Sequence, residues 1–368
     1  MTVSGPMVRD FTDDDTEIRI EIDVSPAYEL LMSLFVIQSG QDAHGEYEES
    51  SKLIELVDQF ASSELKKLLD GLSGCGETWL ALVGLVHELP QPRTVSAVVD
   101  LIRAMDPVEL RTLVMQNAGI RPSRGFDPEL TARVAKGNTE ALDELLAAGK
   151  YADGLKSWLE VAPETTRELM ADVLERLDTE VLAHAPETLQ VLQRDAAEKR
   201  TLLATMSADR LIETATNGVA FEMQPHVSGV LLIPSIVLRP WVVITEHGSL
   251  RIFVYSVSDE HLNADPTAPP AYLVETYKAL GDEKRLRILS ILADGDLGLK
   301  EIADRVDLAK STTHHHLRLL RSAGLVRIII SDTDKRYSLR RDGLPETSRL
   351  LDAYLTPSTA ESLTTEEV

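Results

Sequence analysis

Cysteine occurs once in the 368 residues, as Cys75. No disulfide can therefore form within the chain, and a thiolate metal centre would need other ligand types or a second chain. That scarcity suits a reducing compartment, so the expected location is the cytoplasm. Aromatic residues make up only 5%, which leaves a core of Leu, Val, Ile and Ala, the vocabulary of helices with a few buried strands. No stretch approaches the roughly 18 uninterrupted apolar residues of a membrane span. The start is acidic at Asp13, Asp14, Asp15 and Glu17, where a secretion signal is basic and then apolar. Positive charge is also short. The 37 Lys and Arg face 60 Asp and Glu, and the formal net charge of −23 repels nucleic acid and anionic membranes from the chain as a whole.

The signatures of catalysis are missing too. There is no P-loop, no G-x-G-x-x-G, no H-x-x-x-H and no C-x-x-C, and His44, His87, His184, His226, His247 and His261 are scattered. Gly74-Cys75-Gly76 lacks the outer glycines of a nucleophile elbow, with Ser73 and Glu77 in their places. Trp79, Trp158 and Tyr151 read as core packing rather than as a pocket lining. The expectation is no catalytic residue, no cofactor, no resident metal and no enzyme activity.

What is present is an ordinary folded composition, 43% hydrophobic and 26% charged, in a chain long enough for two or three domains. Glu17 to Val24 alternates as a half-buried strand, and Ser25-Pro26 opens a helix carrying Leu30, Leu31, Leu34 and Phe35. Gly40 to Gly45 reads as a loop. From Ser50 to Arg200 amphipathic helices follow one another, broken at Gly71 to Gly76, Pro90 to Pro92, Gly119 to Pro128 and Pro163, with no repeat period. The texture then changes. Asn217-Gly218 is a hairpin-type dipeptide, and Val230 to Val237, Trp241 to Thr245 and Leu250 to Val257 are short strand-like runs. Residues 1–209 are thus expected to form an acidic, mainly helical N-terminal region, 210–262 a small β-rich segment packed with it, and 263–270 a linker rich in proline. Residues 271–355 form a last folded unit, and 356–368 read as a disordered tail.

Charge is concentrated in that last unit. Residues 268–345 hold 14 Lys and Arg against 11 Asp and Glu, a net of +3, so the remainder carries −26. Residues 306–341 alone carry eight basic residues against Asp307, Asp332 and Asp334. In the same unit, Asp282 to Ala293 reads as a helix with Leu286, Leu289 and Leu292 inward. Leu299, Ile302, Ala303 and Val306 share one face of a short helix, and Thr313, His316, Leu317 and Leu320 share a face of the next. Only Asp307-Leu308-Ala309 separates the two, which makes a helix-turn-helix. Leu325 to Asp332, the turn Thr333-Asp334-Lys335 and Arg336 to Arg340 add a hairpin wing. The second helix holds no carboxylate from Lys310 to Arg321. A helix that enters the major groove must present small polar and basic side chains, and Lys310, Ser311, Thr312, His314, His315, Arg318 and Arg321 supply them. Lys335 and Arg336 on the wing are placed for neighbouring phosphates, with Arg340 and Arg341 extending the basic surface.

The ordered set Leu280-Gly281-Asp282, Arg285-Leu286-Arg287-Ile288-Leu289, Ile302-Ala303, Ser311-Thr312-Thr313-His314-His315-His316-Leu317 and Leu320-Arg321-Ser322-Ala323-Gly324-Leu325-Val326 resembles the ArsR-type winged helix-turn-helix of bacterial regulators. The stretches Gly229 to Ser235, Pro240-Trp241 and Phe253-Val254-Tyr255 resemble the region before the winged helix in a subset of such regulators. The resemblance implies a repressor that binds double-stranded DNA as a homodimer, pairing through helices before and after the motif. Leu273, Val274 and Tyr277 would line the first of these, and Leu350, Leu351 and Tyr354 the second. Metal-sensing members carry two cysteines where Gly298 and Lys300 stand here, and Glu346 to Leu355 has no His for the other type of metal site. His314, His315 and His316 splay by about 100° per residue and cannot converge on one ion.

The sequence therefore predicts an α+β protein, mainly α with a small β-sheet, with a helical N-terminal region and a C-terminal winged helix. Its function is that of a sequence-specific DNA-binding regulator whose N-terminal region receives a small-molecule or protein effector. The competing reading is an interaction protein that uses the winged helix as a docking module.

Overall fold

The computed structural model describes residues 19–39, 47, 49–71, 76–120, 125–147, 153–221, 224, 226–262, 269, 271–330, 335–341 and 343–355. The expected loop at 40–45, Cys75, Tyr151, nearly all of the linker, the wing tip at 331–334 and the tail from 356 lie outside the described residues.

The described residues open with strand β1 (Arg19–Ile22) and helix α1 (Pro26–Gln38). Ser25 caps α1, its hydroxyl accepting the Ala27 N–H, with Pro26 in the first turn, so this helix starts as its sequence dictates. A helical layer follows: α2 (Ser50–Phe60), α3 (Ser63–Gly71), α4 (Leu80–Glu88), α5 (Val95–Ala104), α6 (Pro107–Asn117), α7 (Pro128–Ala135), α8 (Thr139–Ala147), α9 (Asp153–Leu159) and α10 (Pro163–Arg176). Thr94, Asp106 and Asp127 cap α5, α6 and α7. Trp79 and Trp158 are fully buried and meet edge to face with ring centres 5.5 Å apart, as core residues. Then come α11 (Thr188–Leu203), α12 (Ala208–Ala215), β2 (Val219–Phe221), β3 (Gly229–Ser235), β4 (Val243–His247), β5 (Leu250–Ser256) and α13 (Asp259–Leu262).

Strand β1 pairs in parallel with β3, β3 in parallel with β5, and β5 antiparallel with β4. Helices cover both faces of this sheet. Leu231, Ile233, Ile252 and Val254 face the large helical layer of α1 to α10, while Val230, Leu232, Phe253 and Tyr255 face Ala196 on α11 and Leu211, Ile212 and Ala215 on α12. Burial on both sides explains why β3 and β5 read as continuous apolar runs rather than as alternating ones. We refer to this assembly, without β2, as the body.

The winged helix contains α14 (Ala271–Leu280), α15 (Glu283–Leu292), β6 (Leu297–Gly298), α16 (Leu299–Val306), α17 (Lys310–Ser322), β7 (Val326–Ile330), β8 (Lys335–Leu339) and α18 (Gly343–Leu355). Its own core joins Ile288, Leu289, Leu292, Ile302, Val306, Leu317, Leu320, Val326, Ile328 and Tyr337. Leu286 is the exception to the expected inward face of α15. It is 49% exposed, and Ile288 takes the buried place.

Two details depart from the sequence reading of 210–262. Asn217-Gly218 does not turn a hairpin. Asn217 (φ 49°) and Gly218 (φ 95°) end α12, and the Gly218 N–H donates to the Glu213 carbonyl in a helix stop. A Cβ on Gly218 would lie 3.3 Å from the Val326 carbonyl oxygen, so both conformation and space favour glycine. Strand β2 then leaves the body's sheet and pairs in parallel with β7, Val219 beside Ile328 and Phe221 beside Ile330. The wing sheet thus runs β2-β7-β8-β6, with one strand contributed from before the linker.

Candidate nucleic-acid interface

Helices α16 and α17 are joined by Asp307, which adopts the left-handed conformation (φ 54°), and Leu308-Ala309. Ile302, Ala303 and Val306 of α16 and Thr313, Leu317 and Leu320 of α17 are buried against each other and the wing. The apolar periodicity therefore leaves one face of α17 outward. Lys310, Ser311, Thr312, His314 and His315 are exposed there. No side chain caps the amides at the start of α17.

Arg318 and Arg321 occupy the same helix but are half-buried. Both lie over the ring of Trp241, with guanidinium carbons 5.0 and 5.6 Å from the ring centre. An Arg318 Nη2 also stands 2.9 Å from His315 Nδ1. Trp241 follows the turn after β3, and its carbonyl accepts the Ser256 hydroxyl at the end of β5, which ties the ring to the body. Burial pushes the Arg321 pKa down, although a guanidinium remains charged. Helical and strand periodicity carry no signal for this contact, because Trp241 and Arg318 belong to segments that periodicity treats separately.

The wing residues sit on β8. Lys335 is exposed, and Arg336 donates from Nη2 to the Asp296 carbonyl, with Glu301 4.0 Å away. The body reaches the winged helix at further points. Asn217 Nδ2 donates to the Ser322 carbonyl at 2.9 Å, closing the end of α17, and Glu213 pairs with Arg327 at 3.5 Å.

His316, on the inner side of α17, has its pKa lowered by burial, with Arg285, His315 and Lys284 adding to the effect and Asp282 opposing it. A base whose folded pKa is depressed stabilises the fold above the usual imidazole range and loses that contribution as pH falls through it. Thermal midpoints followed from pH 7.5 to 5 should fall less steeply for His316→Gln than for the native chain. Equal slopes would show that His316 does not titrate with folding.

Among the described residues, Asp195, Glu198 and His261 come together with ligand atoms within 4.8 Å. Spacing could not reveal this, since α11 and α13 are far apart in sequence. The place is already taken by Lys199, whose Nζ lies 2.7 Å from Glu198, 2.9 Å from Ser258 and 3.5 Å from Asp195. Tyr255 and the Ser258 N–H also donate to Asp195. The cluster is a satisfied ion-pair network holding α11 to the end of β5.

A helix-turn-helix with a carboxylate-free outer face, followed by a two-stranded wing, defines a DNA-binding transcriptional regulator. Residues 282–327 match the family model described as bacterial regulatory protein, arsR family. An uncharacterized HTH-type transcriptional regulator of Methanocaldococcus jannaschii is 35% identical over 79 residues, 21% of this chain and 89% of that protein. The chain belongs to the ArsR family of transcriptional regulators. The transcriptional activator HlyU of Vibrio cholerae is 41% identical over 56 residues, covering 15% of this chain and 52% of that one. The transcriptional repressor SdpR of Bacillus subtilis is 34% identical over 50 residues, covering 14% and 56%. No described helix is long and apolar enough to cross a membrane.

Proposed function

We propose that this DNA-binding regulator is a repressor whose access to its operator is controlled by the body. The observation that carries this reading is the Trp241 ring beneath Arg318 and Arg321. A duplex lying along α17 needs the flank that the turn before Trp241 occupies, so the docked state and full groove engagement compete. Base reading falls to Lys310, Ser311, Thr312, His314, His315, Arg318 and Arg321, and phosphate contact to Lys335 and Arg336 and to the uncapped amides of α17. The chain acts in the cytoplasm, by binding and not by catalysis.

The operator-bound form is a homodimer. Helices α14 and α18 pack together and leave Tyr277, Tyr354 and Leu355 exposed, by 44%, 41% and 66%. Such a stripe suits pairing about a two-fold axis, which sets two recognition helices about one turn of duplex apart. Repression is the role of the Bacillus subtilis relative SdpR, while the Vibrio cholerae relative HlyU is an activator with a similar module.

Replacing Trp241 with Ala removes two cation–π contacts, worth about 0.5 to 1 kcal/mol each at this half-buried site, and should raise affinity for duplex by roughly 5- to 30-fold. Trp241→Phe should fall between. Selecting bound sequences from a random duplex pool with the native chain and with Trp241→Ala tests both parts. The expected result is a two-fold symmetric consensus recovered by both, more tightly by the variant. Equal affinity of the two proteins would remove the gating, and failure of both to select any consensus would favour the docking-module reading.

A further inference from the structure

A cleft of about 490 Å³ opens between the body and the winged helix, on the side of the wing sheet away from the winged-helix core. Its floor follows from strand register. Arg327 of β7 pairs with Ser338 of β8, and Ile328 pairs with Tyr337. Alternation along both strands sends Ile328 and Tyr337 into the winged-helix core, so Arg327 and Ser338 emerge on the opposite face. One wall is α12 with Arg210 and Glu213. The other is the turn from α15 to β6, with Asp294 and Asp296, and Arg340 and Arg341 close the end.

We propose that this cleft binds a small organic or inorganic oxyanion, a carboxylate or phosphate, and that the bound anion holds the winged helix against the body. The site stands on its geometry, while its regulatory effect rests on the gating reading given above. Four arginines line the cleft from both halves of the chain: Arg210 from the body, and Arg327, Arg340 and Arg341 from the winged helix, with Arg341 Nη2 donating to the Ala293 carbonyl and Arg340 Nη1 3.5 Å from Asn217 Oδ1. Three carboxylates also line it. Asp294 and Asp296 lie on the exposed rim, leaving Glu213 as the inner one. Glu213 meets Arg327 through one Nη at 3.5 Å, while the Arg327 Nε is buried with no hydrogen-bond partner among the described residues. A guanidinium offers five donors in a planar fork, and an oxyanion accepts two of them side by side. Ser338 adds a hydroxyl at the floor. The volume lies in the range of small-molecule sites, and the polar groups converge as such sites require.

Position gives the cleft its consequence. One wall, α12, belongs to the body and the other to the winged helix, so an anion bridging them favours the docked state over one in which Trp241 has left Arg318 and Arg321. By linkage it must then lower affinity for duplex by the same factor that duplex lowers affinity for it.

Isothermal titration of the full-length protein with inorganic phosphate and, separately, with succinate tests the site, at ionic strength matched with sodium chloride. The two arms distinguish a phosphate from a dicarboxylate. We expect one saturable site per chain for at least one of them, weakened at least 10-fold by Arg327→Gln. Arg341→Gln, at the rim, should weaken it as well and guards against a folding defect at Arg327. Lys156→Gln, on α9 away from the cleft, should leave it unchanged. Failure of both anions to saturate, or equal weakening by Lys156→Gln, overturns the site. Operator binding is then measured with and without the anion, and it should weaken in the native chain but not in Trp241→Ala. Saturable binding without any effect on operator affinity keeps the site and overturns the gating. If instead Arg327→Gln lowers the salt dependence of duplex binding, the cluster is a phosphate contact to DNA and the proposal falls.

Discussion

In a Trp241→Ala background, replacing Arg318 with Ala should weaken binding to the selected operator by about 1 to 3 kcal/mol, or roughly 5- to 150-fold, and change binding to scrambled duplex far less. The background matters because the native Arg318 has two partners in competition. In the docked state it lies on Trp241 and beside His315, and in the bound state it is free to reach a base edge one helical turn from His314. Removing it from the native chain loses the base contact and loosens the dock at once, so the net loss there should be smaller. The difference between the two losses is the coupling between the ring and the base contact. Lys335→Ala with Arg336→Ala should behave otherwise, weakening both duplexes alike and lowering the salt slope by about 1 for each lost phosphate contact. Equal loss on operator and scrambled DNA for Arg318→Ala would move this residue from base reading to backbone contact.

Asp23→Leu should cost about 3 to 5 kcal/mol of stability, the largest single effect expected in the body. Asp23 is buried just after β1. Its carboxylate pairs with buried Arg93 at 2.8 Å and accepts the Tyr28 hydroxyl at 2.6 Å and Gln91 Nε2 at 3.0 Å. Arg93 in turn donates through Nε and Nη2 to the His87 carbonyl, and its own carbonyl accepts from Ser25, the cap of α1. Burial, and then the bond to Asp23, push the Tyr28 pKa far above the ordinary tyrosine range, so the phenol stays protonated and donating. Leucine would leave the Arg93 Nη1 and the Tyr28 phenol buried without their acceptor and the guanidinium charge without its counter-ion, at the seam where the helical layer meets the edge of the sheet. Urea unfolding of the two proteins measures the loss, and a change below about 1 kcal/mol would mean that water reaches the site and replaces the carboxylate.

The parts of this molecule that could be read from sequence are those governed by neighbours a few positions apart. The 3.6-residue periodicity of Leu299 to Leu320, the three-residue turn at Asp307 and the capping of α1 by Ser25 are local, and they are realised in the structure. Leu286 faces solvent against expectation because α15 has apolar residues at both 286 and 288, and periodicity alone does not say which side the core lies on. Asn217-Gly218 is ambiguous in sequence because the dipeptide favours positive φ in a hairpin turn and at a helix stop alike. What decided between them was β7, which Val219 to Phe221 could find only in the folded chain. The same holds for the interface. The exposed residues from Lys310 to His315 follow from helical phase, whereas the burial of Arg318 and Arg321 depends on a tryptophan brought in by the body.

The parallel strand β2 also bears on how the protein is made and kept monomeric in its strands. Asn217 and Ser322 stand 105 residues apart, so the outer edge of β7 is closed by a segment that leaves the ribosome well before it. Until the wing emerges, β2 has no ladder partner. Once it does, the main chain of Ile328 to Ile330, in a strand of sequence Val-Arg-Ile-Ile-Ile, is paired along that edge. An uncovered edge of that composition is a template for pairing with another chain. A fragment starting at residue 271 would expose it, and such a fragment should aggregate through β7 before it ever meets DNA.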